Sequence, residues 1–263
     1  MKLFTTPLLF IIAIFAALPM QSQTANDYMD LLVLYVDGDY EKCLKKAEKY
    51  MDKDETKRDP LPYLYTSMTY YEISRDHKYV EDYPKAYREC LKYLTKYRRK
   101  DKEYLFEKDA KDFIEKIKFE VAEQIENYEL GGTEKDYRKS KSLLKKLKRI
   151  DPDDVGVQLM LGVHYVYAND KSSGKDEIKE ALAKLDEEDD EFEFELDFSE
   201  MTPSQQYYFK EGLIAYYNYR AKNYPNEAEE ILMLGKPYYK ADNEDLEIDN
   251  YQDYVKLIKE VNG

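Results

Sequence analysis

Two histidines, two cysteines and 55 carboxylates are the side chains in this 263-residue sequence whose types most readily do chemistry. His77 stands in a polar stretch and His164 inside an apolar helical one, and no H-E-x-x-H places the pair on one helix face. There is no C-x-x-C, so neither a redox dithiol nor a zinc knuckle is written here. Cys43 and Cys90 fall on apolar stripes, at places that small core residues take. In an oxidising compartment they have the option of a disulfide, but buried free thiols are what the positions predict. No G-x-S-x-G nucleophile turn and no G-x-G-x-x-G occurs, and the adjacent Gly131 and Gly132 read as a helix end rather than a phosphate cradle. An enzyme would have to be built from a carboxylate pair brought together in a cleft, which spacing alone does not reveal. The expectation is a protein with no catalytic residue, no cofactor and no metal.

Binding chemistry is better represented. The chain has 28 tyrosines and no tryptophan. Tyrosine offers a large, rigid contact surface with a hydroxyl at its tip, which suits recognition faces. Tyr63, Tyr70 and Tyr167, with Leu159 and Val163, are the candidate partner-binding residues on helices. A second set lies in the stretch from Asp186 to Glu200, where an acidic run gives way to Phe192, Phe194, Leu196 and Phe198 alternating with acids. That is a strand period with one apolar face, able to cover a groove of its own chain or to pair with a partner's strand edge. Its acids lack the spacing of a calcium-binding EF-hand loop.

Charge is uneven. The whole chain carries −14, which suits phosphate-backbone binding poorly and argues against a nucleic-acid partner. Residues 84–149 hold 20 basic and 13 acidic groups, net +7, and residues 150–263 hold 11 and 28, net −17. The helix from Lys135 to Arg149 sets its cations around a narrow leucine stripe. It reads as a solvated helix face, with contact to an anionic partner or a membrane surface as the alternative.

The elements that position these residues read as helices. Tyr28, Leu31, Leu32 and Tyr35 fall at i, i+3, i+4 and i+7, and Asp37-Gly38-Asp39 separates them from Tyr40, Cys43, Leu44 and Ala47. Leu64 to Tyr71 and Tyr83 to Tyr97 repeat the layout. A long stripe from Phe106 to Tyr128 ends at Gly131-Gly132, and Tyr137 to Ile150 ends at Asp151-Pro152. Further stripes cover 161–168, 178–185, 209–217, 228–232 and 251–261, and Thr202, Pro203 and Gln205 form a capping-box signature before 209. The total is about eleven helices. Helix pairs that each bare an apolar stripe bury it by stacking on one another, which makes a solenoid.

Several of these residues resemble the tetratricopeptide repeat family. Gly38-Asp39-Tyr40 with Cys43 matches the family's turn and second-helix start, with Cys43 in place of a small alanine. Tyr137, Ser140, Leu144 and Leu147 lead to Asp151-Pro152 at the family's spacing, and Leu161-Gly162-x-x-Tyr165 follows as its first-helix signature. Tyr83 with Ala86, and Ser67 with Tyr70, are similar to the same two signatures. The tyrosines at 40, 83 and 137 stand further apart than the family's repeat of about 34 residues, so the array is irregular. The resemblance implies an all-α fold, an α-solenoid of about four to five hairpins closed by a C-terminal helix. It also implies a scaffold that holds a protein or peptide partner.

The N-terminus reads as an export signal: Lys2, then an unbroken apolar run from Leu8 to Leu18, then Pro19 and small polar residues. The run is shorter than the roughly 20 residues a membrane span needs, and no later segment is apolar enough, so no transmembrane segment is expected. The expected organisation is a cleaved signal at 1–23, a repeat array at 24–240 with an acidic extended insert at 186–201, and a linker with capping helix at 241–263. The expected place is the periplasm, or the cell surface. The expected function is a non-catalytic adaptor in an envelope complex for secretion, outer-membrane assembly or surface display. The alternative is a glycan- or substrate-binding accessory module of an envelope uptake system.

Overall fold

A computed structural model describes residues 28–185 and 201–224 of the protein. The expected signal run, the acidic stretch 186–200 and the helices expected at 228–232 and 251–261 lie outside the described residues. Within them the chain is all-helical: α1 (Met29–Val36), α2 (Tyr40–Asp52), α3 (Leu61–Arg75), α4 (Ala86–Lys100), α5 (Glu107–Gly131), α6 (Glu134–Ile150), α7 (Val155–Tyr167), α8 (Lys171–Ala183) and α9 (Pro203–Asn223), with a short 3-10 turn at His77–Tyr79. None of these helices is long and apolar enough to cross a membrane.

The ends are set by local chemistry. The Asp154 carboxylate accepts from the backbone N–H of Val157 at 2.9 Å, satisfying one orphan donor at the start of α7. Thr202 and Gln205 form the reciprocal capping box at the start of α9, with Pro203 in the first turn. Gly132 takes the left-handed conformation, φ +61°, where its N–H bonds the carbonyl of Tyr128 and closes α5.

Packing follows chain order. α1 packs on α2, α3 on α4, α5 on α6 and α7 on α8, and successive pairs meet through α2 on α3, α4 on α6 and α6 on α7. α9 lies against α7 and also meets α5. Two kinds of small-residue crossing make the closest approaches. Ser67 of α3, fully buried, donates its hydroxyl to the Cys90 carbonyl of α4 at 2.8 Å. In α7, a Cβ on Gly162 would stand 2.6 Å from Ile178 Cγ1 and 3.0 Å from the carbonyl oxygen of Gly174, so α7 and α8 cross backbone to backbone. The other side of α7 does the same with α9, since a Cβ on Gly156 would run into the Tyr208 and Phe209 backbone.

α7 is therefore enclosed. Val157, Met160, Leu161 and Tyr165 join the main core, which runs from Tyr28 and Leu31 through Leu91, Tyr97, Ile117 and Leu147. Val155, Leu159 and Val163 join a second cluster with Ile178, Leu185, Phe209 and Leu213. At the other end, α1 differs from its expected stripe. Leu31 is fully buried, but Leu32 joins Met29, Val33 and Val36 on an exposed face.

Candidate functional site

The groups with reactive connectivity come first. Ser140 on α6, His164 on α7 and Glu129 on α5 form a chain: Ser140 Oγ lies 2.6 Å from His164 Nδ1, and Glu129 Oε1 lies 2.8 Å from Nε2. With the proton on Nε2, the imidazole donates to Glu129 and accepts from Ser140. A serine, a histidine and an acid in a row is the order of a hydrolase relay, but here Ser140 is 0% and His164 1% exposed. No substrate reaches the hydroxyl, and the chain acts as a polar bolt across three helices. None of this chain was anticipated from the sequence, because Ser140, His164 and Glu129 lie on three different helices, Glu129 35 residues from His164.

A second buried constellation surrounds Lys118 of α5, which is 0% exposed. Its ammonium lies 2.5 Å from Asp151 Oδ2 and 2.8 Å from Asp154 Oδ2. Gln205 of α9 donates to Asp151 at 3.1 Å, and the Tyr208 hydroxyl donates to the Lys118 carbonyl at 2.9 Å. Burial, with Asp151 alongside, lifts the Asp154 carboxyl to about 6 even though Lys118 pulls it down. Burial opposes the Lys118 charge, but Asp154 and Asp151 outweigh it and hold the ammonium above its usual value. The cluster ties α5 and α9 to the loop that opens α7, with Lys118 and Asp154 buried and Asp151 at its partly exposed edge. Among the described residues no group of histidine, cysteine or acidic side chains is arranged to hold a metal ion.

The accessible site lies elsewhere. A groove of about 620 Å³ opens between the last turns of α4 and α6, lined by Thr95, Lys96, Arg98, Arg99, Lys102, Tyr104, Lys148, Arg149 and Pro152. Six of the nine are cationic. Arg98 is 5% exposed and fixed: its Nε donates to the Ile150 carbonyl at 2.8 Å and its Nη2 to Glu107 at 2.5 Å. The Tyr104 ring lies 4.1 Å from the guanidinium carbon, and the Tyr104 hydroxyl donates to Asp153 at 2.8 Å. To hold that pose Tyr104 adopts φ +56°, a left-handed backbone that side chains other than glycine rarely take. Lys148 is paired with Glu177 at 2.6 Å. Lys96, Arg99, Lys102 and Arg149 have no ion-pair partner among the described residues. Burial, with Lys92 and Arg99 nearby, holds the Lys96 ammonium below its usual value.

Sequence reasoning missed the α4 side of this groove. The signal was present, because Lys96, Arg99 and Lys102 recur every third residue. The expected basic surface of 135–149 is thinner than its composition. Arg138 pairs with Glu134, Lys139 with Asp136 and Lys141 with Asp170.

Among the described residues the expected partner-binding side chains fall into two separate groups, Tyr63 and Tyr70 around Tyr93 of α4, and Leu159, Val163 and Tyr167 of α7 at the second apolar cluster. Tyr70 is half-buried and stacks on Tyr93, centroids 5.8 Å apart, and Tyr63 is mostly buried against the same Tyr93. Tyr167 sits in another aromatic group, with Tyr137 at 4.8 Å and Tyr219 at 6.2 Å. Leu159 and Val163 are 0% and 1% exposed, packed with Ile178, Phe209 and Leu213 between α8 and α9 rather than on an open face. Phe192, Phe194 and Phe198 lie outside the described residues. Cys43 and Cys90 are free, buried thiols, as their stripe positions predict. Comparison with protein-family models, with curated proteins and with solved structures finds no match to this chain.

Proposed function

We propose that this chain is an exported adaptor of the cell envelope, one that holds a protein or peptide partner and performs no catalysis. In this reading it is an α-solenoid of tetratricopeptide-like hairpins, periplasmic or surface-associated. The observation that carries the reading is the recurrence of one construction: helix pairs stacked in chain order, with a small residue at the crossing within a pair, Ser67 in α3–α4 and Gly162 in α7–α8. Such a stack buries its stripes between neighbours and leaves extended faces for partners. The groups that could support chemistry add to it by their enclosure. Ser140, His164 and Lys118 are all spent on holding helices together. Export is supported by the Leu8–Leu18 run and its Pro19 stop.

The test is affinity capture of the tagged full-length protein from its native envelope, followed by mass spectrometry. Recovery of one other envelope protein in fixed ratio is the expected result. Recovery of the chain alone across mild detergents and low salt would defeat the adaptor reading.

A further inference from the structure

We propose that the groove between the C-terminal turns of α4 and α6 binds an acidic, carboxylate-rich peptide segment of a protein partner; the inference rests on the adaptor reading and gives it a surface and a partner chemistry. On a chain of net −14, four cations that have no ion-pair partner among the described residues stand along one groove: Lys96, Arg99, Lys102 and Arg149. Crowding like charges is unfavourable unless an anion relieves it. A second, independent feature points the same way. Arg98, 5% exposed, lines the groove, and its Nη1 is a buried donor with no hydrogen-bond partner among the described residues. Leaving such a donor unmet is costly, and a groove ligand that reaches the guanidinium removes that cost. The strained Tyr104 backbone holds the ring that braces this same guanidinium.

The geometry favours a peptide over a compact phosphate. Phosphate sites are usually built where backbone N–H groups converge, at helix N-termini and glycine nests. This groove lies at two helix C-termini, where the last carbonyls lack intrahelical donors, that of Ile150 being taken by Arg98. An extended peptide brings N–H donors for carbonyls as well as carboxylates for the cations, while a phosphate offers little but acceptors. The cations are also strung out, three along α4 and its following loop and one on α6, which matches carboxylates spaced along a chain. The volume of about 620 Å³ is within the ~300–1,000 Å³ typical of ligand sites.

The experiment titrates the full chain with a fluorescently labelled poly-glutamate peptide at low and physiological salt. Parallel arms use inorganic tripolyphosphate and vesicles of phosphatidylglycerol. The double variant Arg99→Glu/Arg149→Glu reverses two exposed cations of the groove, and Lys45→Glu/Lys135→Glu makes the same change of net charge on exposed lysines outside it. The expected result is peptide binding that weakens with salt, falls about tenfold or more in the groove variant and changes less than about twofold in the control. Equal loss in both variants, or groove-dependent binding of tripolyphosphate or vesicles in place of the peptide, overturns the proposal. So does the absence of peptide binding. Envelope capture separates the two levels. A partner held equally by wild type and Arg99→Glu/Arg149→Glu removes the groove while the adaptor reading stands. Wild-type protein that captures nothing defeats the adaptor reading itself.

Discussion

Lys118 is the residue whose removal should be felt most. With its ammonium gone, Asp151 and Asp154 are left as two close carboxylates, one of them wholly buried. Breaking such a cluster typically costs roughly 3–5 kcal/mol, so Lys118→Ala should lower the urea midpoint sharply. Asp154 has the opposite character. Its folded value of about 6 exceeds the 3.8 of an ordinary aspartate, so the folded state binds its proton more tightly. Its contribution is therefore fully present below about pH 4 and is lost as pH rises through about 6. Asp154→Asn removes this dependence. Wild-type stability minus variant stability should fall as pH rises between those limits, read from denaturant curves across pH. A difference that rises with pH would contradict the burial argument. The cysteines follow the same physics in a simpler setting. Burial pushes the Cys90 thiol up to about 12 and also raises Cys43, so neither should react with thiol reagents until the chain unfolds.

The helices were legible because their stops are chemical. Asp151-Pro152, Gly131-Gly132 and the Thr202–Gln205 box each end or start an observed helix where the sequence places them. Which face of a helix stays free was not legible where the pattern had no contrast. α7 is apolar on most of its surface, Gln158 and His164 apart, and is covered by α6, α8 and α9 together, so Leu159 and Val163 looked like face residues and lie in the core. The groove was hidden for a different reason. Its walls, α4 and α6, are joined by a contact that skips α5, and no local spacing records such a pairing. The glycine crossings make predictions at this scale. Gly156→Ala should cost more than Gly162→Ala, because its Cβ meets only the α9 backbone, which cannot give way, while at Gly162 the nearest atom belongs to the Ile178 side chain. Overpacking of this kind costs about 1–3 kcal/mol. At Gly131 the nearest atom is an Asp136 carboxylate oxygen that Thr133 holds, a side-chain end rather than backbone, so Gly131→Ala should cost less than Gly156→Ala in thermal melts.

Across the described residues, polar bolts and small-residue crossings join the helices alongside the apolar cores, and the groove between α4 and α6 is lined mainly by cations. The bolts connect elements far apart in sequence: Ser140–His164–Glu129 across α6, α7 and α5, and Lys118 with Asp151, Asp154 and Gln205 across α5, α7 and α9. Composition pointed to a charge division, net +7 over residues 84–149. It did not reveal that several of those cations are paired with nearby acids while four at the groove have no ion-pair partner among the described residues. The central claim, an adaptor that holds a protein partner, is tested most directly by lysine-reactive crosslinking in intact cells, with the crosslinked peptides identified by mass spectrometry. The account predicts intermolecular links from Lys96 and Lys102 to a single other envelope protein. Links confined to the chain itself, with Lys96 and Lys102 modified but joined to nothing, would contradict it.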